Sequence, residues 1–357
     1  MLYRKYRPQT FAQVVGQEHV VQTLKGALIT GRVGHAYLFT GPRGTGKTTL
    51  ARVFAKALNC ANRKDNSFEP CDKCPFCVDV GQNRSLDLIE IDAASNRGID
   101  EIRNLKESAL VAAPSGKYKV FIIDEVHMLT KDAFNALLKI LEEPPSHVVF
   151  ILATTEPHKV LPTVLSRVQR FDFKKLTLKE ILGKLKGIAR AEKIDIEEAG
   201  LAAMAMASDG ALRDAEVFLT KVRASANGKI SSDDVYSILG LIPARYHTEF
   251  LSHLASNDKA GAINFIHKIS NSGVDLENFT KDFLEYLRKI LIHKVSPATL
   301  ASFGETPDQE SAQLAVQIES PKLIRMITLF ASARNEIKNS PIAQLPLELA
   351  ILGLDSV

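Results

Sequence analysis

Residues Gly41-Pro42-Arg43-Gly44-Thr45-Gly46-Lys47-Thr48 fit the spacing G-x-x-x-x-G-K-[ST]. That spacing suits the grip of a nucleoside triphosphate. Gly44 and Gly46 let backbone N–H groups turn inward, Lys47 reaches the outer phosphates, and Thr48 offers a hydroxyl to Mg²⁺. The whole stretch from Gly41 to Thr49, with Pro42, Arg43 and Thr45, is expected to contact the nucleotide at a helix N-terminus, whose partial positive charge favours anions.

Two adjacent carboxylates follow an apolar run in Lys119-Val120-Phe121-Ile122-Ile123-Asp124-Glu125. Asp124 is placed to hold Mg²⁺, directly or through water, and Glu125 to orient and deprotonate an attacking water. Thr155, after the run Val148 to Ala153, can hydrogen-bond the terminal phosphate or that water. An acidic turn after a strand and a hydroxyl at a strand end are also common without any chemistry. Arg167 and Arg213 attract attention because phosphoryl transfer needs extra positive charge at its transition state. Most arginines, however, are only solvated.

The four cysteines are spaced Cys60-x10-Cys71-x2-Cys74-x2-Cys77. Paired x2 spacings turn the chain so that thiolates converge on a tetrahedral ion. Four sulfur ligands leave no open position, which makes a zinc ion structural rather than catalytic. Disulfides are the competing reading; a cytosolic location would keep the thiols reduced. The charges around the loop, Arg63, Lys64 and Lys73 against Asp65, Glu69 and Asp72, disfavour a DNA-binding finger.

These residues need strands and helices to position them. Ala36-Tyr37-Leu38-Phe39 reads as a strand before the phosphate loop, and Leu50, Val53, Phe54, Ala57 and Leu58 recur at helical spacing after it. Leu86 to Ile91 alternates as a strand, and Ile102, Leu105, Ala109 and Leu110 mark a helix. The runs at 120–123 and 148–153 are strands buried on both faces, and the helix between them starts near Thr130 and stops at Pro144-Pro145. Alternating strands and helices predict an α/β fold with a parallel sheet, whose carboxyl edge is where ligands bind. Near residue 176 the pattern changes to helices only, opened by a capping box at Thr177-Leu178-Lys179-Glu180 and punctuated by Gly210 and Asn227-Gly228. The expected domains are 1–175, nucleotide-binding with the cysteine insertion at 60–77; 176–240, a small helical lid; and 241–357, all-helical, with loops near Pro297 and Pro307.

A chain of 357 residues, 45% hydrophobic and 24% charged, is ordinary for a globular protein. No apolar run reaches membrane-spanning length and no secretory leader is evident, so a cytoplasmic location without membrane contact is expected. A net charge of +4 permits an anionic partner. The absence of tryptophan argues against stacking platforms for single strands.

Taken together, the chain closely resembles the AAA+ ATPase subunits of clamp loaders, in particular the bacterial DNA polymerase III gamma/tau family. The resemblance rests on Tyr6-Arg7-Pro8, Val14-Val15-Gly16-Gln17, the phosphate loop, the cysteine insertion, Asp124-Glu125-Val126-His127, Leu141-Glu142-Glu143-Pro144-Pro145, Ala153-Thr154-Thr155, Ser166-Arg167 and Gly210-x-x-Arg213-Asp214. It covers the first two domains densely and the third by helical character and length. It implies that Arg4, Arg7, Pro8 and Val15 line an adenine pocket, that Thr155 is the sensor-1 residue and that Arg213 is the sensor-2 arginine. Arg167 would act in trans on a neighbouring subunit's ATP. Val168 stands where the family usually has cysteine.

The resemblance further implies an ATP hydrolase within a DNA-directed DNA polymerase holoenzyme, itself not synthesising DNA. Its helical third domain would form a collar in a pentamer with delta, delta-prime and further gamma/tau copies. ATP and Mg²⁺ would drive opening of a sliding clamp and its loading on primer–template DNA, held through phosphates; Arg97 and Lys139 are weak candidates for those contacts. The alternatives are a non-hydrolysing delta-prime-like scaffold or another AAA+ ATPase that remodels DNA.

Overall fold

A computed structural model describes residues 1–63, 67–225, 228–296 and 318–355. Lys64, Asp65, Asn227, Pro297 and Pro307 lie outside them. The chain forms two compact units, Met1–Val235 and Tyr236–Val357.

In the first unit a short helix α1 (Leu2–Lys5) leads to α2 (Glu18–Thr30), β1 (Ala36–Thr40) and α3 (Lys47–Asn59). Then come α4 (Pro75–Gly81), β2 (Leu88–Asp92), α5 (Ile99–Leu110), β3 (Lys119–Asp124), α6 (Lys131–Glu142), β4 (Val148–Thr154), α7 (Pro162–Leu165) and β5 (Gln169–Asp172). The five strands form one sheet in the order β2-β3-β4-β1-β5, and every pairing is parallel.

The apolar runs explain the layers. Tyr37, Phe39, Val120, Ile122, Val149 and Ile151 face a core shared with Val20 and Leu24 of α2 and Leu50 and Phe54 of α3. Their alternates, Leu38, Phe121, Ile123, Phe150 and Leu152, pack with Ile102 and Leu105 of α5 and Phe134 and Leu137 of α6. Burial on both faces is what a parallel strand covered by crossover helices requires. Thr130 caps α6 through the Ala133 amide.

Two elements differ from the sequence reading. Strand β2 runs from Leu88, and Leu86 is exposed. Strand β5, Gln-Arg-Phe-Asp, has no apolar run because it lies at the sheet edge and pairs only with β1.

Three helices complete the unit's helical part: α8 (Leu178–Ala191), α9 (Glu198–Ala207) and α10 (Leu212–Ser225). The capping box is present, with the Thr177 side chain bound by the Glu180 amide and Glu180 reaching back to Thr177. Leu185, Ile188, Leu201, Met204, Leu219 and Val222 are buried among these helices. Helix α11 (Ser232–Leu239) follows.

The second unit holds α12 (Ala244–Ala255), α13 (Lys259–Asn271), α14 (Leu276–Val295), α15 (Ser320–Ile337) and α16 (Leu345–Leu352). Its core is aromatic. Phe250 lies 4.8 to 5.6 Å, centroid to centroid, from Phe265, Phe279, Phe283 and Phe330. Among the described residues no helix is long and apolar enough to cross a membrane. Because Phe250 is wholly buried and touches four rings, Phe250→Ala should destabilise this unit by ~3–5 kcal/mol, read as an earlier loss of helical signal in urea.

Candidate nucleotide site

The parallel sheet brings the ends of β1, β3 and β4 to one edge. Thr40 pairs with Thr154, and the chain then enters the phosphate loop, where the Gly41 amide donates to the Thr154 carbonyl at 3.2 Å. Glycine is required at two points of the loop. Gly41 has φ 141° and a Cβ there would meet the Phe173 carbonyl oxygen at 2.4 Å, while Gly44 has φ 79° and a Cβ would meet that of Ala211 at 2.8 Å. The loop is therefore clasped between the residue after β5 and the start of α10.

Lys47 is buried, and its ammonium donates to the Gly41 and Pro42 carbonyls at 2.8 and 2.9 Å. Burial lowers its pKa, while Glu125 and Asp124 oppose that shift. The Thr45 hydroxyl donates to the Pro42 carbonyl at 2.9 Å, and Arg43 is exposed. The Thr48 hydroxyl donates to Asp124 Oδ2 at 2.7 Å. This hydroxyl and carboxylate are hard oxygen donors side by side, and they fit Mg²⁺.

Asp124 closes β3, and Glu125 adopts the left-handed conformation, φ 47° and ψ 45°. That turn breaks strand alternation, so both acids act on Lys47. Glu125 Oε2 accepts from the Thr155 hydroxyl at 3.1 Å and from its amide at 3.4 Å. His127 Nδ1 lies 3.4 Å from the same oxygen and 2.9 Å from the Thr154 hydroxyl. Thr155 thus contacts the candidate base itself. His127 was given no role by the sequence, since one histidine in a turn carries no signal until the neighbouring strand is known.

The N-terminal arm lies over this edge. Arg7 donates from Nε to the Thr49 hydroxyl at 3.2 Å. Burial lowers its pKa, Arg52 and Arg213 add to the shift, and Glu90 and Asp124 counter it. Three guanidiniums thus converge near the phosphate loop, a field that favours an anion. Arg213 lies 5.0 Å from the Tyr3 ring centroid and Arg4 lies 5.7 Å from it. Tyr3 was missed by the sequence reading; an aromatic beside Arg4 was the available hint.

Pro8 and Val15 are half-buried along the same arm. The Gln17 side chain anchors it, donating to the Lys174 carbonyl at 2.7 Å and accepting from the Lys174 amide at 3.0 Å. Glu192 ties the arm to α8 and α10 through Lys5 at 2.5 Å, Tyr6 at 2.7 Å and Arg223.

Arg167 does not join this site. It precedes Gln169, which pairs with Tyr37 at the start of β1, so it sits at the opposite edge, roughly 15–20 Å from the loop at ~3.3 Å per strand residue. Its guanidinium donates to Glu142 Oε1 at 2.8 Å and the Thr163 carbonyl at 2.7 Å. Val168 packs against the α5–α6 side of the sheet core. Arg97 and Lys139 are exposed.

The cysteine loop joins Phe11, Leu58, Phe76 and Val80 in the core. All four thiols are free, and their sulfurs lie within 4.8 Å of one another. Tetrahedral Zn–S bonds of ~2.3 Å set sulfurs ~3.8 Å apart, so one zinc ion fits. The Cys71 amide donates to Cys60 Sγ at 3.2 Å, and the Lys73 and Cys74 amides donate to Cys71 Sγ at 3.4 and 3.2 Å. Burial pushes the Cys71 thiol up, but these amides outweigh it with help from Cys60 and Cys74, and hold it down to about 6. Such N–H···S bonds favour thiolates.

Glu192 yields a testable consequence. Lys5, then Tyr6 and Arg223, hold its carboxyl down to about 2. A depressed carboxylate contributes docking energy that is complete above its ordinary range and declines as pH falls toward about 2. Glu192→Gln should release the arm at neutral pH, giving several-fold faster tryptic cleavage after Arg4 and Lys5, with the rest of the digest unchanged.

Comparison with known proteins agrees with this geometry. Residues 16–177 match a family model described as DNA polymerase III, delta subunit, and residues 230–357 one described as DNA polymerase III subunits gamma and tau domain III. DNA polymerase III subunit tau of Bacillus subtilis (strain 168) is 40% identical over 354 residues, 99% of this chain and 62% of that protein. The tau subunit of Escherichia coli (strain K12) is 38% identical over 352 residues, and the chain spans 54% of its length. DNA polymerase III subunit gamma of Buchnera aphidicola subsp. Acyrthosiphon pisum (strain APS) is 34% identical over 357 residues, 100% of this chain and 98% of that protein. Among solved structures, Thermotoga maritima RuvB, titled a Holliday junction branch migration motor, aligns with a TM-score of 0.51 over 70% of this chain and 79% of that one. At 21% identity that likeness is one of fold, the AAA+ arrangement of sheet and helices.

Proposed function

The chain belongs to the gamma/tau family of DNA polymerase III subunits, and from that premise we propose that it is the ATP-hydrolysing motor of a clamp loader. The observation that carries this reading is the convergence of Lys47, Thr48, Asp124 and Glu125 at one sheet edge, with Thr48 and Asp124 2.7 Å apart. The phosphate loop and the start of α3 bind the triphosphate through backbone N–H groups, and Lys47 turns from the loop carbonyls to the outer phosphates. Mg²⁺, held by Thr48 and Asp124, neutralises charge on the phosphates when bound. Glu125 takes the proton of the attacking water, and Thr155 holds that carboxylate in place. Arg4, Arg7, Pro8 and Val15 form the side of the pocket that receives the adenine. Arg213 approaches the phosphates from α10.

Arg167 completes the site of a neighbouring copy, because its position across the sheet takes it out of reach of its own. ATP binding is then coupled to assembly with delta, delta-prime and further gamma/tau copies, through a collar formed by residues 241–357. The motor opens a sliding clamp in the cytoplasm and places it on primer–template DNA held through phosphates. The cysteine loop carries a structural zinc ion. The match of residues 16–177 to a delta-subunit model favours a second reading, a non-hydrolysing scaffold; four assembled catalytic side chains weigh against it.

Lys47→Ala should lower ATP affinity by about tenfold or more, a charge-assisted contact being worth ~1.5–3 kcal/mol, and should abolish hydrolysis. Hydrolysis that survives this change sinks the motor reading. Arg167→Ala should reduce hydrolysis in assembled complexes by roughly 10²-fold or more, leaving ATP affinity of the isolated chain unchanged. Loss of binding instead would show that Arg167 serves its own site.

A further inference from the structure

Gly46 of the phosphate loop and Cys60 of the cysteine loop cap opposite ends of α3, and a continuous set of contacts joins the cysteine loop to Arg7. Lys56 projects from α3 and is 1% exposed. Its ammonium pairs with Asp72, which lies between Cys71 and Cys74, and donates to Gln9 Oε1 at 3.1 Å. The other end of the Gln9 carboxamide donates from Nε2 to the Arg7 carbonyl at 3.0 Å. The two bonds assign the amide the same way round, oxygen to the lysine and nitrogen to the carbonyl. A second strap runs beside this relay. Glu69 Oε2 accepts from the Phe11 amide at 2.8 Å, and Phe11 meets Phe68 edge to face at 6.2 Å.

We propose that the metal-bound cysteine loop is a brace for the nucleotide pocket, setting the position of the Arg7 segment through Asp72, Lys56 and Gln9. This rests on the reading above that Arg7 and its neighbours receive the adenine. A buried ammonium must keep its counter-charge, so Lys56 fixes where Asp72 sits. The tetrahedral metal fixes Asp72 in turn by clamping the thiols on either side. Loss of the ion removes one of the two holds on Asp72 and leaves only the Lys56 pair, the relay slackens, and the backbone anchor of Arg7 weakens while Lys47 and the phosphate loop keep theirs. Base and phosphate recognition therefore part company. By linkage, ATP must in turn tighten the hold on the metal.

The full chain tests this with three readouts: zinc content, affinity for ATP, and affinity for tripolyphosphate, which engages the phosphate loop without a base. Lys56→Met severs the relay at nearly constant volume, and Asp72, 43% exposed, keeps its hydration. The variant should retain zinc and tripolyphosphate binding while ATP affinity falls about 3–10-fold, or ~0.7–1.4 kcal/mol. Stripping zinc from the unaltered chain should give the same split, and ATP should slow zinc loss to a chelator where tripolyphosphate does not. Unchanged ATP affinity in both the variant and the zinc-free chain overturns the proposal. So does an equal fall for ATP and tripolyphosphate, which marks general loosening of α3, and so does a chain purified without zinc. Failure of the zinc-loaded, unaltered chain to bind ATP at all sinks instead the functional reading beneath it.

Discussion

Parallel pairing is the constraint from which the rest of the molecule follows. With β1 between β4 and β5, and β3 outside β4, chain segments more than a hundred residues apart end at one edge. Only there can the Thr48 hydroxyl of one crossover helix meet the Asp124 carboxylate of another strand at 2.7 Å. The same constraint separates Arg167 from the site. It enters the sheet at the opposite edge, beside the start of β1, and no rotamer of one side chain spans the length of a strand. The candidate site's edge and a distant arginine are thus two consequences of one topology.

Around that edge the electrostatics are arranged for an anion. Lys47 is buried inside the loop, and burial, with Arg52 and Arg213 nearby, lowers the hold of Arg7 on its proton. These cations are kept close by restraints further out: Gln17 on Lys174, Glu192 on the arm and α10, and Lys56 between Asp72 and Gln9. The candidate nucleotide site is in this sense the meeting point of an N-terminal arm, the helices α8 to α10 and a cysteine loop. Each is anchored by a carboxylate or carboxamide.

What the sequence made legible was local. The phosphate loop, the four cysteines and the capping box at Thr177 are contiguous or closely spaced patterns whose chemistry depends on few other residues. Buried strands β1, β3 and β4 announce themselves because both faces are apolar. Strand β5 does not, because an edge strand needs no apolar run. The partnership of Thr155 with Glu125 was hidden by the left-handed turn at Glu125, which the alternation rule does not foresee. Tyr3, His127 and Lys56 were invisible for a common reason: each acts only through neighbours supplied by folding, and a buried lysine reads from sequence like any solvated one.

The central claim is that each site is finished by an adjacent copy. It is tested most directly by mixing two inactive chains in one assembly, one carrying Lys47→Ala and the other Arg167→Ala. The first lacks a working loop but keeps its arginine; the second lacks the arginine but keeps its loop. The account predicts that ATP hydrolysis reappears in the mixture, at the interfaces where the loop of the second faces Arg167 of the first. A mixture that assembles fully and stays inactive would contradict it.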